Sequence, residues 1–200
     1  MKKALILVDI QNDFCANGSL AVKDGETIIS LVNMLSEDKK YDFVVATQDF
    51  HPSNHKSFAS VNHKEPFSVI KLNGLDQVMW PDHCVQGTQG AEMHPDLDMS
   101  NVVKVFPKGT NPEIDSYSGF FDNDKKSSTG MDEWLKAQGV THVDVVGLAL
   151  DYCVKATALD AKRLGFETSV IVSATKPVNM TPNGGEKAIE DLRNANINIT

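Results

Sequence analysis

Short apolar runs separated by helical patterns constrain the fold of this chain more than any other feature. Residues 4–8 (ALILV) contain no polar residue, which is typical of a strand that is buried on both faces of a sheet. Similar runs predict strands at residues 43–47, 102–106, 142–146 and 168–172, with a short one at 197–199. Helical patterns lie at residues 24–39, 131–138, 153–164 and 185–195, with Thr129 as the cap and Gly139 as the end of the second helix.

This alternation predicts an α/β fold: an open parallel β-sheet of about six strands with helices on both faces, in three layers (α/β/α). The interval from about residue 48 to 101 interrupts the rhythm and carries five of the six histidines. A connection this long in a compact domain is usually functional. We therefore expect one domain over residues 1–200 with a long, metal-carrying insertion at about 48–101.

The charge balance restricts the partners of the chain. With 19 basic and 27 acidic residues the net charge is −8, which argues against nucleic acid and against a membrane surface as partners. A small, neutral molecule is the expected substrate. Three cysteines cannot all pair, and the apolar start is too short for a signal peptide, so we expect a cytoplasmic protein. Both a monomer and a homo-oligomer are compatible with the sequence.

Polar residues follow four of the predicted strands. Asp9 ends the first strand, Asp49 and His51 follow the second, Lys108 follows the third and Cys153 follows the fourth. The carboxyl ends of parallel strands share one edge of a sheet, and ligands bind at that edge. The sequence therefore predicts that these residues converge on one site.

Asp49, His51 and His83 form a candidate metal set. A carboxylate and two imidazoles suit one divalent ion, with zinc as the first choice and manganese, iron or magnesium as alternatives. His55 is a further ligand or a neighbour of the ligands, and the other histidines are interpreted as structural. A closed structural zinc site is disfavoured because such sites are usually rich in cysteine.

Cys153, Asp9 and Lys108 have the composition of a thiol nucleophile with a base and a cation. We expect Cys153 to open a helix, where the free amides lower the pKa of a thiol and can hold an oxyanion. Burial of Asp9 at the end of a strand raises the pKa of its carboxyl group, as a base requires. The competing interpretation of Cys153 is a small buried apolar residue.

At these positions the chain resembles the nicotinamidases, also called pyrazinamidases, of the isochorismatase-like cysteine hydrolases. The resemblance runs nearly end to end and rests on LVDIQNDF at 7–14, DFHPSNH at 49–55, WPDHCV at 80–85, KG at 108–109, DSYS at 115–118 and DYCV at 151–154. One departure is Leu150, where many relatives carry threonine.

The resemblance implies a catalytic triad, an oxyanion hole and a metal site in a cytoplasmic enzyme of NAD salvage. It implies that nicotinamide is hydrolysed to nicotinate and ammonia through a thioester, with pyrazinamide as a further substrate. The implied roles are catalysis by Asp9, Lys108 and Cys153, an oxyanion hole from the amides of Ala149 and Cys153, substrate contacts by Phe14, Leu20, Trp80, Tyr117 and Ala149, and metal binding by Asp49, His51 and His83. A cis peptide between Leu148 and Ala149 is also implied.

Three alternatives stay open at this level. The nearest is a related cysteine hydrolase acting on another small amide or carbamoyl compound. The second is a hydrolase in which metal-bound water attacks and Cys153 is a bystander. The third is a flavodoxin-like binding module with a structural ion, although no glycine-rich dinucleotide motif follows the first strand.

Overall fold

The computed structural model describes residues 1–200, and its centre is a six-stranded sheet in which every neighbouring pair is parallel. The strands in chain order are β1 (Lys2–Val8), β2 (Phe43–Asp49), β3 (Val69–Leu72), β4 (Leu75–Val78), β5 (Val102–Lys108), β6 (Val140–Leu148), β7 (Glu167–Lys176) and β8 (Asn198–Ile199). The sheet order is β5-β2-β1-β6-β7-β8, while β3 and β4 form a separate antiparallel hairpin. The predicted α/β fold is confirmed.

Helices cover both faces of the sheet. They are α1 (Ile29–Ser36), α2 (Met131–Ala137), α3 (Lys155–Arg163) and α4 (Gly184–Asn194). Along β1, Ala4, Ile6 and Val8 face the core beneath α2, α3 and α4, while Leu5 and Leu7 face the core beneath α1. Burial on both faces explains the unbroken apolar run, because no side of β1 meets water.

The strands that carry site residues extend further than the apolar runs predicted. Asp49 is the last residue of β2 and Lys108 the last of β5, and the two are paired in register. Both residues therefore lie inside the sheet rather than beyond it. Because these side chains are polar, the apolar runs ended before the strands do, and the predicted strands were too short.

Three helix predictions were wrong in detail. The helix expected at 24–39 is a 3-10 turn at Gly25–Ile28 followed by α1. Gly130, not Thr129, precedes α2, although the Thr129 hydroxyl accepts a hydrogen bond from the Met131 amide at 3.3 Å. Cys153 does not open a helix: it is the fourth residue of a π turn, Leu150–Val154, that leads into α3.

The connection between β2 and β5 contains the β3–β4 hairpin and a 3-10 turn at Gln89–Ala91. It folds back on itself: His51 bridges to Val85, and Phe58 bridges to Trp80. These contacts bring distant parts of the connection together above the ends of the strands. No helix of this structure is both long enough and apolar enough to cross a membrane.

Gly147 in β6 tests how tightly the central strands are packed. Its φ is +116°, and a Cβ atom there would lie 2.1 Å from the Val8 carbonyl oxygen of β1. We expect Gly147→Ala to lower the free energy of unfolding by about 3 kcal/mol or more, because backbone on a central strand cannot yield. Gly139→Ala is the matched control: its φ is also positive, +78°, but its Cβ would meet nothing within 4 Å.

For Gly139→Ala we expect a loss of only about 1–2 kcal/mol, the cost of a left-handed backbone. Denaturant melts of both variants measure the difference. Equal losses would show that the contact with Val8 is not tight.

Candidate active site

The order of the strands places four polar residues side by side. β5, β2, β1 and β6 are neighbours in the sheet, and their carboxyl ends present Lys108, Asp49, Asp9 and, through the turn after β6, Cys153. Asp9 leaves β1 with a φ of +48°, a left-handed conformation that aspartate tolerates better than most residues. All four side chains are buried. Convergence at one edge follows from the parallel sheet.

Lys108 lies at the centre of this group. Its ammonium donates hydrogen bonds to Asp49 Oδ1 at 2.8 Å, to the Ser116 carbonyl oxygen at 2.8 Å and to Cys153 Sγ at 3.5 Å. Asp9 Oδ2 lies 2.9 Å from the same nitrogen. Burial alone lowers the pKa of this ammonium, but the Asp49 and Asp9 carboxylates outweigh burial and hold the pKa well above its usual value. Lys108 is therefore a permanent positive charge.

The thiol and the candidate base are both shifted by burial. Burial raises the pKa of the Cys153 thiol well above its ordinary value, and the opposing charge of Lys108 does not cancel that effect. The resting thiol is thus protonated, contrary to the expectation that a helix terminus lowers its pKa. Burial also raises the pKa of Asp9, although Lys108 opposes the shift.

Asp9 is oriented by a hydrogen bond and leaves one oxygen available. The Thr47 hydroxyl donates to Asp9 Oδ1 at 2.6 Å, whereas Asp9 Oδ2 has no hydrogen-bond partner despite its full burial. Oδ2 forms an ion pair with the Lys108 ammonium at 2.9 Å. A carboxylate oxygen in this state can accept a proton from a neighbouring thiol.

Asp49, His51 and His83 form a compact set of ligand atoms on the other side of Lys108. Asp49 Oδ2 lies 3.2 Å from His51 Nε2 and 3.5 Å from His83 Nε2. His51 Nδ1 lies 2.8 Å from the Gly109 carbonyl oxygen and His83 Nδ1 lies 2.7 Å from that of Pro81. Because carbonyl oxygens only accept hydrogen bonds, each ring carries a proton on Nδ1 and turns Nε2 toward Asp49.

These residues fit a divalent metal ion. His51 Nε2 is a buried polar atom without a hydrogen-bond partner, as a ligand atom would be when a metal is its natural partner. The ligand atoms of all three residues lie within 4.8 Å of one another. Two imidazoles and one carboxylate match the donors that zinc, manganese and iron accept, and three protein ligands leave coordination positions open.

His55 lies behind this set. Its Nδ1 lies 2.7 Å from Ser57 Oγ and its Nε2 lies 3.2 Å from the Ile114 carbonyl oxygen. Its ring packs against that of His51 with centroids 4.3 Å apart. With both nitrogens engaged, His55 supports His51. His63, His94 and His142 lie outside the set.

A cavity of about 380 Å³, its mouth included, joins the two groups. All five residues proposed to contact substrate, Phe14, Leu20, Trp80, Tyr117 and Ala149, line its wall together with Asp49, His83 and Cys153. The Trp80 indole donates to the Tyr117 hydroxyl at 3.2 Å. The cavity is small, mostly apolar and aromatic, which suits one flat ring.

Asp115, Tyr152 and Val178 also line the cavity, but the sequence reading assigned no role to them. Tyr152 packs edge-on against Trp80 with centroids 5.0 Å apart. The position of Tyr152 next to Cys153 in the sequence could have identified it as a cavity residue, whereas nothing in the neighbouring sequence identifies Val178 as one.

Leu150, the departure from the motif, is packed in the core beneath α3 and is not part of the wall. The peptide between Leu148 and Ala149 is cis.

Comparison with known proteins gives the same family throughout. Residues 3–200 match the isochorismatase domain. The chain is 45% identical to the nicotinamidase of Escherichia coli K12 over 192 residues, covering 95% of this chain and 90% of that protein.

Solved structures that resemble this chain belong to the same family. A nicotinamidase/pyrazinamidase of Acinetobacter baumannii superimposes with a TM-score of 0.95 at 43% identity, covering 99% of this chain and 95% of the other. A pyrazinamidase of Pyrococcus horikoshii in complex with zinc superimposes with a TM-score of 0.82 at 36% identity, covering 100% and 99%.

Removal of one ligand tests the metal set. We expect His83→Ala to weaken zinc binding by at least ~100-fold, since even loss of an outer-shell partner costs ~10–100-fold. The matched control is His94→Ala, which removes a histidine of the same long connection outside the set. Calorimetric titration of chelator-treated protein with zinc measures both affinities. Unchanged affinity in His83→Ala would exclude this residue as a ligand.

Proposed function

This chain belongs to the isochorismatase family, and we infer that it is a nicotinamidase, which hydrolyses nicotinamide to nicotinate and ammonia in NAD salvage. One observation carries the assignment to this site: Cys153 and the metal-set residues Asp49 and His83 face the same small aromatic cavity. A neutral ring with a carboxamide can therefore meet the thiol and the metal set at once. Pyrazinamide, of similar size and shape, is expected to be a second substrate.

The proposed reaction begins with the transfer of a proton. Asp9 takes the proton of the Cys153 thiol, and Lys108, 3.5 Å from the sulfur, stabilises the thiolate. The sulfur attacks the carboxamide carbon, and the amides of Ala149 and Cys153 are proposed to hold the oxygen as it becomes negative. Asp9 returns its proton to the nitrogen, so that ammonia leaves and a thioester remains on Cys153. Water then cleaves the thioester and restores the thiol.

Asp49, His51 and His83 are the residues that would hold the metal ion. When bound there, a divalent ion supplies a Lewis-acid contact suited to the nitrogen of a pyridine ring. We propose zinc, because the donor set suits it and because the pyrazinamidase of P. horikoshii was solved in complex with zinc. We also propose a cytoplasmic location, in which the three free cysteines stay reduced.

The nearest competing function is hydrolysis of another small amide or carbamoyl compound by the same thiol. Asp49 and His83 on the cavity wall favour a ring that bears a nitrogen, since an aliphatic amide would offer no donor atom to a metal ion held there. Ammonia release from nicotinamide, pyrazinamide, benzamide and a ureido compound, measured side by side, distinguishes the two. Benzamide turnover equal to that of nicotinamide would contradict a role for the ring nitrogen.

Replacement of the nucleophile is the most direct test of the thiol route. We expect Cys153→Ala to lower ammonia release by at least ~10³-fold while zinc content stays unchanged, because the sulfur forms the covalent intermediate. Cys15→Ala is the matched control, since Cys15 is buried in the core outside the cavity, where burial raises the pKa of its thiol to about 11. Turnover by Cys153→Ala near the parental rate would instead favour attack by metal-bound water.

Replacement of the base should be nearly as severe. We expect Asp9→Asn to reduce the turnover number by ~10²–10⁴-fold, the usual contribution of general acid–base catalysis. Thr47→Val removes only the hydrogen bond that orients Asp9 and should cost less than Asp9→Asn. Steady-state kinetics of both variants test this ranking. A larger loss in Thr47→Val would mean that Thr47 has a role beyond orienting Asp9.

A further inference from the structure

The wall of the cavity includes a segment that no sheet strand supports. Residues 177–183, here called the strap, connect the end of β7 to the start of α4, and Val178 of the strap lines the cavity. The main-chain hydrogen bonds that the strap makes with main-chain partners stay local: Thr181 accepts from the Gly184 amide and Asn183 from the Lys187 amide. Val178 and Met180 pack against the core, and Asn179 Oδ1 accepts from the Gly185 amide at 2.8 Å. None of these contacts fixes the main chain of the strap relative to Cys153.

Asp151 provides that connection. Its two carboxylate oxygens accept hydrogen bonds from two successive amides of the strap, Oδ1 from Val178 at 2.8 Å and Oδ2 from Asn179 at 2.9 Å. Each oxygen holds one amide, so the carboxylate fixes both the position and the direction of the strap. Hydrogen bonds to a charged acceptor are stronger than those between neutral groups.

The same turn holds the strap a second time. The Tyr152 hydroxyl donates to Met180 Sδ at 3.2 Å. Asp151, Tyr152 and Cys153 are consecutive residues of the π turn, so the strap is tied to the element that carries the nucleophile. These two side chains therefore help to set the distance between the Cys153 sulfur and the wall formed by Val178, together with the packing of Val178 and Met180 against the core.

We propose that Asp151 is a positioning residue that sets the width of the substrate cavity by clamping the strap to the nucleophile turn. This inference rests on the proposed function, because the cavity must bind a flat carboxamide for its width to matter. Asp151 acts through Val178 and does not line the cavity itself. Release of the strap should weaken binding of the ring more than it slows the chemistry, since Lys108 and Asp9 are fixed by β5 and β1. The turn that carries Cys153 also keeps its own main-chain hydrogen bonds, from the Tyr152 and Val154 amides to the Ala149 carbonyl oxygen at 3.1 Å.

Kinetics of Asp151→Ala test the clamp. We expect KM for nicotinamide to rise by about 10-fold or more while kcat changes by less than about 3-fold, the pattern of lost ground-state binding. The preference for nicotinamide over the larger quinoline-3-carboxamide should fall, because a released strap makes room for a second ring. Asp151→Asn keeps one acceptor oxygen for the two amides and should give an intermediate KM. If Asp151→Ala fails to fold, Asp151→Asn carries the test.

Asp191→Asn is the matched control. It removes the same charge from α4, where Asp191 pairs with Lys155 at 3.2 Å, without touching the strap. Its KM and its substrate preference should match those of the parent protein. The proposal is overturned if Asp191→Asn reproduces the effects of Asp151→Ala, or if Asp151→Ala lowers kcat with KM and preference unchanged.

Hydrogen exchange separates failure of the clamp from failure of the proposed function. In Asp151→Ala the amides of Val178 and Asn179, which lose their acceptor, should exchange faster than in the parent, while those of the sheet strands stay the same. Unchanged exchange in the strap would overturn the clamp whatever the activity. If the parent protein releases no ammonia from nicotinamide, the proposed function fails, and the exchange result still decides whether Asp151 holds the strap.

Discussion

The ammonium of Lys108, buried between two carboxylates, is the interaction on which the rest of the site depends. Removing each ion from water costs several kcal/mol, and only contacts as close as those of Lys108 with Asp49 and Asp9 can offset that cost. One carboxylate belongs to the metal set and the other is the proposed base. The same cation also contacts the Cys153 sulfur. The proposed nucleophile, the proposed base and the candidate metal ligand Asp49 therefore all contact a single positive charge.

The order of the sheet explains how these groups meet. Because β5, β2, β1 and β6 are adjacent, the main-chain ends of neighbouring strands lie about one strand spacing apart, roughly 5 Å, and their side chains can reach one another. The sheet supplies three rigid supports, for Lys108, Asp49 and Asp9, and the turn after β6 supplies the fourth, for Cys153. The remaining wall comes from long connections, which carry His83, Trp80, Tyr117 and Val178. The residues proposed for the chemistry are thus positioned mainly by the sheet. The residues proposed to contact the ring are positioned mainly by the connections and by the side chains that hold those connections.

Elements whose pattern is dictated by burial were predicted correctly from the sequence, whereas those continued by polar residues were not. β1 and the sheet class followed from unbroken apolar runs, but the ends of β2 and β5 were missed because Asp49 and Lys108 are polar residues in buried strands. The β3–β4 hairpin was missed although Asn73 and Gly74, both at positive φ, mark its turn. The raised pKa of the Cys153 thiol was missed because the local argument from a helix terminus ignored burial.

By itself the sequence determined the residue types, the parallel α/β class and the placement of Asp9, Asp49, Lys108 and Cys153 at or after the ends of strands. The tertiary structure decided how far each strand runs, which nitrogen of His51 and His83 faces Asp49, and that Asp151 holds the strap across 27 residues of chain. The physical reason is the distance along the chain over which each kind of interaction acts. Periodicity and burial act between near neighbours along the chain, whereas a hydrogen bond or an ion pair between distant segments depends on how the long connections pack, which no local pattern encodes.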